Sequence, residues 1–155
     1  MDEDTLASAS ITIAAPPERV YDLVADVTRM GEWSPEASGT IGQPSALQAG
    51  DKFWGTNRKG FVWWFTRCTV RRADRGERFE FDVDFGPSHI SRWTYEFTPV
   101  DGGCEVTETW QDRRFGPLAG PVKWVGKGII PGPRADHNQR NIEITLQRLK
   151  AAAES

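Results

Sequence analysis

The feature that most constrains the fold is the segment from Phe79 to Phe85, in which apolar and acidic residues alternate without exception. Successive side chains of a β-strand point to opposite faces of a sheet, so this segment predicts a strand with one apolar and one acidic face. We expect the apolar face to be buried and the acidic face to lie in water. A similar alternation of aromatic and polar residues follows from Arg92 to Phe97.

Turn-forming sequences separate further segments of this kind. Signals such as Asp101-Gly102-Gly103 recur from Ala37 to Gln111, which is typical of a run of antiparallel strands. Short connections make consecutive strands neighbours in a sheet, so a meander is predicted. A first strand is expected over Ser8–Ala14, and six more near residues 37–43, 52–57, 61–72, 78–85, 89–99 and 104–111.

Helical periodicity occurs near both ends of the chain. After Pro16-Pro17, an apolar stripe predicts a short helix, and the stretch up to Pro35 completes a short helical pair. A long C-terminal helix is predicted from Arg134 to about Ala153, with an apolar stripe of Ile142, Leu146, Leu149 and Ala153. No repeat or linker interrupts the pattern, so we expect one α+β domain over residues 1–155.

Composition narrows the class of protein. The chain has 22 acidic and 19 basic residues, which argues against nucleic-acid binding. The longest apolar run, residues 61–65, is far shorter than the roughly 20 residues that span a bilayer, so stable membrane insertion is not expected. The acidic N-terminus lacks a secretory signal, and a cytoplasmic location is expected. Cys68 and Cys104 have no metal-ligand spacing, so reduced thiols, no metal and no cofactor are predicted.

The predicted elements pose a packing problem. One helix is too narrow to cover the face of a seven-stranded sheet, so part of a concave, aromatic surface stays open for a small molecule. Ordinary core packing is the alternative explanation for the same side chains, because the chain has seven Trp and eight Phe but only six Leu. The predicted walls of the cavity are Trp64, Phe81, Val83, Phe85, Trp93, Tyr95, Trp110, Trp124 and Leu146, with Trp33 near one rim.

Four stretches resemble a known superfamily. They are ITIAAPPERVYDLVADV (residues 11–27) with EWSPE (32–36), GGCEVTETW (102–110), and the helix over 141–153. Together they resemble the START-like helix-grip (SRPBCC) superfamily, in its polyketide cyclase/dehydrase and lipid-transport branch, which is common in bacteria. The resemblance covers nearly the whole chain and implies a curved seven-stranded antiparallel sheet wrapped around a long C-terminal helix, with two short helices after the first strand.

The resemblance also implies a hydrophobic ligand between helix and sheet, such as a lipid, sterol, polyketide or hormone. Some members of the superfamily catalyse cyclisation and others only carry their ligand. No catalytic motif is common to all members, so the resemblance assigns no catalytic residue to this chain.

Three residues are candidates for acid–base chemistry. Glu108 shares strand parity with Val106 and Trp110, which predicts an inward carboxylate; a structural ion pair is the alternative. His89 and His137 are the two histidines, and each is also explained as a solvated or hydrogen-bonded residue. A pair of His137 with Glu108 across the cavity mouth would provide a general base.

Two further segments admit more than one interpretation. Phe61, Trp63 and Phe65 are expected on the outer face, against the N-terminal helices or a second protomer, or exposed for a partner or membrane surface. Residues 116–132 form either an irregular connection or a lid over the cavity, with the Gly86-Pro87 turn as the opposing gate.

These patterns favour a protein that binds a hydrophobic or amphipathic small molecule, lipid-like or polyketide-like. One alternative is a polyketide cyclase, aromatase or dehydratase that uses acid–base residues of the cavity. Another is a protein-interaction or stress-response module without a ligand. The residues favour a carrier over an enzyme, and a homodimer is kept as an alternative to a monomer.

Overall fold

The computed structural model of the protein describes residues 6–41, 47–114 and 134–155. Two short helices follow the first strand, α1 (Pro17–Ala25) and α2 (Met30–Trp33), with a 3₁₀ turn between them, and the long helix α3 (Arg134–Glu154) ends the fold. The strands are β1 (Leu6–Ile13), β2 (Ala37–Ile41), β3 (Lys52–Lys59), β4 (Val62–Asp74), β5 (Arg78–Phe85), β6 (Ser88–Val100) and β7 (Gly103–Asp112).

The seven strands form one antiparallel sheet in the order β1-β7-β6-β5-β4-β3-β2. Strands β2 to β7 form the predicted meander. Strand β1 instead pairs with the last strand, with Leu6 opposite Gln111 and Ile13 opposite Cys104. This arrangement of an open sheet, a C-terminal helix and short helices after β1 confirms the predicted helix-grip fold.

Irregular register helps to curve the sheet. The pairing shifts between Ala37 and Gly39, between Val70 and Arg72, and between Val83 and Asp84. An extra residue in one strand of an antiparallel pair bends that strand and increases its twist. The sheet therefore has a concave face, on which the helices pack, and a convex face on the other side.

Helix α1 closes one end of the concave face. A proline at its first turn fits the helix because no backbone N–H is needed there, and Val20, Tyr21 and Val24 are buried. The ring of Tyr21 meets Phe79 and Phe97 edge-on, at centroid distances of 6.0 and 5.6 Å. These aromatic contacts form solid core at this end of the sheet.

Helix α3 buries the predicted stripe of Ile142, Leu146, Leu149 and Ala153. It packs mainly against β1, with further contacts to β7, α1 and α2. The concave surface of the strands farther from β1 is therefore left largely uncovered by α3. None of the described helices is both long and apolar enough to cross a membrane.

The convex face differs from the sequence-based expectation. Glu80, Asp82 and Asp84 were expected in water, but they are 7 %, 4 % and 8 % exposed. Arginine side chains cover them: Arg92 on β6 and Arg113 just after β7, for example, lie 2.6 and 3.1 Å from Asp82. Because long arginine side chains shield the carboxylates while pairing with them, strict alternation here marks a strand that is buried on both faces.

Candidate functional site

A cavity of about 390 Å³ lies between the concave face and the middle of α3. Strands β2 to β7 contribute residues to its wall, together with α2 and α3. Its size falls within the roughly 300–1,000 Å³ that is typical of small-molecule sites. The cavity therefore has room for a guest at the position where the fold implies one.

Strand parity brings most of the predicted wall residues together. On β5, for example, Phe81, Val83 and Phe85 point to the same side because they are two residues apart. Binding of a ligand by these side chains stays a prediction. The predicted residues that line the cavity are Trp64, Phe81, Val83, Phe85, Trp93, Tyr95 and Trp110.

Two predicted wall residues lie elsewhere. Trp33 is 3 % exposed and belongs to the core, with the Arg29 guanidinium 5.3 Å from its ring centre, whereas Met30 lines the cavity from α2. Leu146 lies in the buried stripe of α3, and its neighbour Thr145 lines the cavity instead, because successive residues of a helix are about 100° apart. Trp124 and the segment 116–132 lie outside the described residues.

Polar side chains of the wall were missed by the sequence analysis. Thr66 and Cys68 share the parity of Trp64 on β4, and Asn141 and Thr145 are four residues apart on one side of α3. The parity of β4 could have identified Thr66 and Cys68, whereas Asn141 and Thr145 are wall residues only through the placement of α3 in the whole fold. The cavity therefore has a mixed wall, in which aromatic strands face a polar side of the helix.

The most unusual polar group of the wall is the carboxyl of Glu108. It lies on β7, is 2 % exposed, and accepts a hydrogen bond from the Tyr95 hydroxyl at 2.7 Å on its Oε1 atom. Its Oε2 atom is buried and has no hydrogen-bond partner among the described residues. Buried polar atoms are nearly always paired, so a guest that reached this oxygen would gain a hydrogen bond.

Burial decides the charge of this carboxyl. It raises the pKa of Glu108 from 4.5 to about 8, and the hydrogen bond from Tyr95 opposes that rise. The pKa of Tyr95 is raised well above 10, first by burial and then by the neighbouring Glu108. At neutral pH both groups are therefore mainly protonated, and with Tyr95 donating to Oε1, the proton on Oε2 is available as a donor.

Neither histidine joins Glu108. His89 is 48 % exposed in its side chain, and its Nδ1 atom lies 2.9 Å from Asp84 on the convex side. The Nε2 atom of His137 lies 3.0 Å from Nδ2 of Asn141 and 3.5 Å from Oε2 of Glu36. The pair of His137 with Glu108, considered above as one way to provide a general base, does not form, because His137 faces Asn141 and Glu36 instead.

Among the described residues, neither a reactive thiol nor a metal-binding cluster adds to the chemistry of the cavity. Cys68 lines the cavity, and burial raises the pKa of its thiol to about 12, so the thiol is a poor nucleophile at neutral pH. No group of three His, Cys, Asp or Glu within the described ranges could hold a metal ion. The absence of a metal or cofactor in the whole chain stays a prediction.

Sequence comparison identifies one family. The family model described as "Polyketide cyclase / dehydrase and lipid transport" matches residues 5–154. The Polyketide_cyc-like protein Cgl2372 from Corynebacterium glutamicum is 28 % identical, with a TM-score of 0.60 over 96 % of this chain and 88 % of that one. No curated protein sequence matches the chain.

Two more distant structures share the fold. Protein NE0264 from Nitrosomonas europaea is 10 % identical, with a TM-score of 0.68 over 97 % of this chain and 95 % of its own. The di-domain ARO/CYC StfQ from the steffimycin biosynthetic pathway is 16 % identical, with a TM-score of 0.71. That match covers 97 % of this chain and 51 % of StfQ, so the chain spans about half of that protein.

Proposed function

Because the chain belongs to the polyketide cyclase/dehydrase and lipid transport family, we propose that it binds a hydrophobic or amphipathic small molecule, lipid-like or polyketide-like, in the cavity between sheet and C-terminal helix. The observation that carries the proposal is the cavity of about 390 Å³, with its aromatic wall and one buried carboxyl. Among the described residues, that carboxyl has no cation as a partner.

Burial of apolar surface supplies the affinity. Removing about 300 Å² of ligand and wall from water contributes roughly 7.5 kcal/mol, at about 25 cal/mol per Å². Lost freedom of the ligand offsets part of that gain. Shape and apolar area therefore select a broad class of guests, and the polar groups of the wall select among them.

The polar groups favour a guest that carries a carbonyl. The neutral carboxyl of Glu108 donates through Oε2, and a ketone or quinone oxygen accepts without introducing a charge. Asn141 and Thr145 offer further polar contacts from the facing helix. A ligand with a fused-ring body and carbonyl oxygens matches both parts of the wall.

Adjacent residues of α3 allow a matched test. Thr145 is 3 % exposed and lines the cavity, whereas Ile144 is 41 % exposed. Titration calorimetry with 1,8-dihydroxyanthraquinone is expected to show at least tenfold weaker binding to Thr145→Trp, because the indole fills the cavity, and unchanged binding to Ile144→Trp. Equal binding by the wild type and both variants, with circular dichroism showing all three folded, would contradict the proposal.

A catalytic role is the second candidate, and the Tyr95–Glu108 pair favours it. In an intramolecular aldol closure of a poly-β-ketone, Glu108 would give its proton to the ketone oxygen as the carbon–carbon bond forms. The attacking carbon would be that of an enol, and the resulting carboxylate would accept the proton that the enol hydroxyl releases as it becomes a ketone. The hydroxyl of Tyr95, 2.7 Å away, would hold the carboxyl in place.

The Glu108→Gln variant separates the two roles. A carrier keeps its affinity for 1,8-dihydroxyanthraquinone within about threefold, because the amide also donates a hydrogen bond. A cyclase loses at least about a hundredfold in turnover of a linear poly-β-ketone made in situ by a minimal polyketide synthase, since general acid–base catalysis contributes about that much. Chromatography of the products measures turnover, and unchanged products with and without the wild-type protein exclude the catalytic role.

A further inference from the structure

The β3–β4 hairpin has a composition unlike that of the rest of the chain. Residues 52–73 contain six Lys or Arg, six Phe or Trp, and no Asp or Glu, although acidic residues outnumber basic ones in the whole sequence. Some of these aromatic side chains line the cavity, but others do not. The hairpin is therefore a basic and aromatic region within an acidic protein.

Four aromatic side chains of this hairpin point away from the cavity. Trp54, Trp63 and Phe65 are 51 %, 55 % and 54 % exposed, and Phe61 at the turn is 99 % exposed. One interpretation of the sequence expected the N-terminal helices to cover Phe61, Trp63 and Phe65. In the structure α1 and α2 leave these side chains exposed. Thr56 pairs with Phe65 in the strand register, so Trp54, Trp63 and Phe65 are close neighbours on the convex face.

Two cations accompany these aromatic residues at the tip. The Arg58 guanidinium lies 5.1 Å from the ring centre of Trp63, and its Nε donates to the Gly60 carbonyl at 2.8 Å. Lys59 is exposed beside it. Gly60 has a φ of +61°, which permits the tight turn that projects Phe61 outward. We call Trp54, Arg58, Lys59, Phe61, Trp63 and Phe65 the hairpin patch.

We propose that the hairpin patch docks the protein on the surface of an anionic lipid bilayer. Tryptophan prefers the membrane–water interface, and phenylalanine adds apolar area that enters the acyl boundary. Each Lys or Arg near an anionic surface adds an attraction worth about a fivefold change in partitioning. Such docking involves no spanning segment, so it agrees with the expected absence of stable insertion.

The position of the patch supports a lipid surface. Trp63 belongs to the patch, and the adjacent Trp64 lines the cavity, as does Asn57 on the paired strand. The same hairpin end therefore borders both the outer surface and the cavity, so a water-insoluble guest would have a short path between bilayer and cavity. This step alone rests on the proposed function; the charge and exposure of the patch do not depend on it.

Two other partners fit the patch less well. In an isologous dimer the same patches face each other, which brings the two cations of each copy into one interface with no acidic residue of the patch to pair with them. A nucleic acid requires several cations along its phosphates, but Arg67, Arg71 and Arg72 of β4 already pair with acidic residues. The tip offers mostly aromatic surface with two cations, which suits a bilayer surface.

Vesicle flotation without added ligand tests the proposal. The wild type is expected to bind phosphatidylcholine vesicles containing about 30 % phosphatidylglycerol at least tenfold more tightly than vesicles of phosphatidylcholine alone. The double variant Phe61→Ser/Trp63→Ser is expected to lose at least tenfold in binding to the anionic vesicles. Lys59→Glu is expected to lose at least about fivefold.

Two exposed residues of α3 provide matched controls, since α3 lies on the other face of the sheet. Arg148→Glu makes the same change of charge as Lys59→Glu, and Ile144→Ser removes an exposed apolar side chain. Both are expected to change vesicle binding less than twofold. Circular dichroism shows whether each variant is folded.

Several results would overturn the docking proposal. They are no preference for anionic vesicles, equal losses in patch and control variants, tighter binding to single-stranded DNA than to vesicles, or a dimer that the patch variants dissociate. Thr145→Trp, which fills the cavity, is expected to keep vesicle binding. A wild type that binds vesicles but not 1,8-dihydroxyanthraquinone contradicts only the proposed function, and the reverse result contradicts only membrane docking.

Discussion

The two faces of the sheet bury acidic residues in different ways. On the convex face, Asp82 is 4 % exposed and has Arg92 at 2.6 Å, Arg113 at 3.1 Å and Arg71 at 3.4 Å. On the concave face, Glu108 is 2 % exposed, and its described hydrogen-bond partner is the neutral hydroxyl of Tyr95. The protein compensates one buried carboxylate with cations and keeps the other uncharged.

This difference separates structural from functional burial. A carboxylate surrounded by arginines has its hydrogen-bonding capacity used within the fold, and it contributes to joining the strands. A protonated carboxyl with a free oxygen in a cavity can pair with a guest. Burial alone would not have distinguished them; the partners of each group do.

The largest expected effect is on the pH dependence of stability. Burial places the pKa of Glu108 at about 8, above its ordinary value of 4.5. Between these pH values the folded state keeps a proton that the unfolded state has released, so stability falls as the pH rises toward 8 and levels off above it. Glu108→Gln removes this loss, and at pH 9 it is expected to be more stable than the wild type by up to about 5 kcal/mol.

Urea unfolding at intervals from pH 5 to pH 9 measures this effect. The wild-type and Glu108→Gln free energies of unfolding are expected to diverge as the pH rises. Parallel curves would mean that Glu108 is ionised in the folded protein and that the contrast between the two faces does not hold.

The next largest effect is expected on the convex face. Asp82→Ala removes a carboxylate shared by Arg71, Arg92 and Arg113 and leaves the three cations near one another. We expect the free energy of unfolding at pH 7 to fall by about 3 kcal/mol, since breaking a buried ion pair strands its partners. Asp82→Asn keeps the shape without the charge and is expected to lose nearly as much. A loss below about 1 kcal/mol in urea unfolding would mean that the ion pairs of Asp82 contribute little to stability.

A smaller effect is expected from Tyr95→Phe, which removes the hydroxyl that donates to Glu108. The variant is expected to lose about 1 kcal/mol at pH 6, the usual net contribution of one hydrogen bond. Because this hydrogen bond lowers the pKa of Glu108, its loss is expected to extend the pH-dependent decline to higher pH. The same urea series measures both quantities, and an unchanged profile would exclude coupling between the two side chains.

The smallest effect is expected for Asp22→Ala, the exposed counterpart of Asp82. Arg75 pairs with Asp22 at 2.8 Å, but both side chains are more than half exposed. The hydrogen bond from Arg75 lowers the pKa of Asp22, so the stability it adds is present at neutral pH and is lost as the pH falls through the lowered value. Solvent screening keeps that contribution to a small fraction of the Asp82 effect. A loss comparable to that of Asp82→Ala in urea unfolding would show that burial is not what separates them.

The sequence was sufficient for the fold because local patterns and packing agree. Alternation located β5 at residues 78–85, as observed, and parity predicted that Glu108 points inward with Trp110. The stripe from Ile142 to Ala153 identified the buried face of α3. In each case a period of two or of 3.6 residues reports which side of an element is buried.

The same patterns could not show what surrounds a buried side chain. Trp33 and Leu146 are buried as expected, but in solid core, because a period does not distinguish core from cavity wall. Asp82 and Asp84 looked solvent-exposed because their arginine partners lie outside β5, at positions that the local sequence does not define. Asn141 and Thr145 became wall residues through the placement of α3, which depends on the whole fold.

The adjacent pair Trp63 and Trp64 has a consequence for how this chain can vary. One tryptophan faces the cavity and its neighbour faces outward, so a single inserted or deleted residue near the Gly60 turn that slipped β4 along β3 would exchange their sides. Such a register shift would place Trp64, which lines the cavity, on the surface. It would also bring Trp63, whose ring lies beside the Arg58 guanidinium, to the cavity side. Variation in this hairpin is thus restricted to substitutions that preserve its length, and insertions belong in other loops.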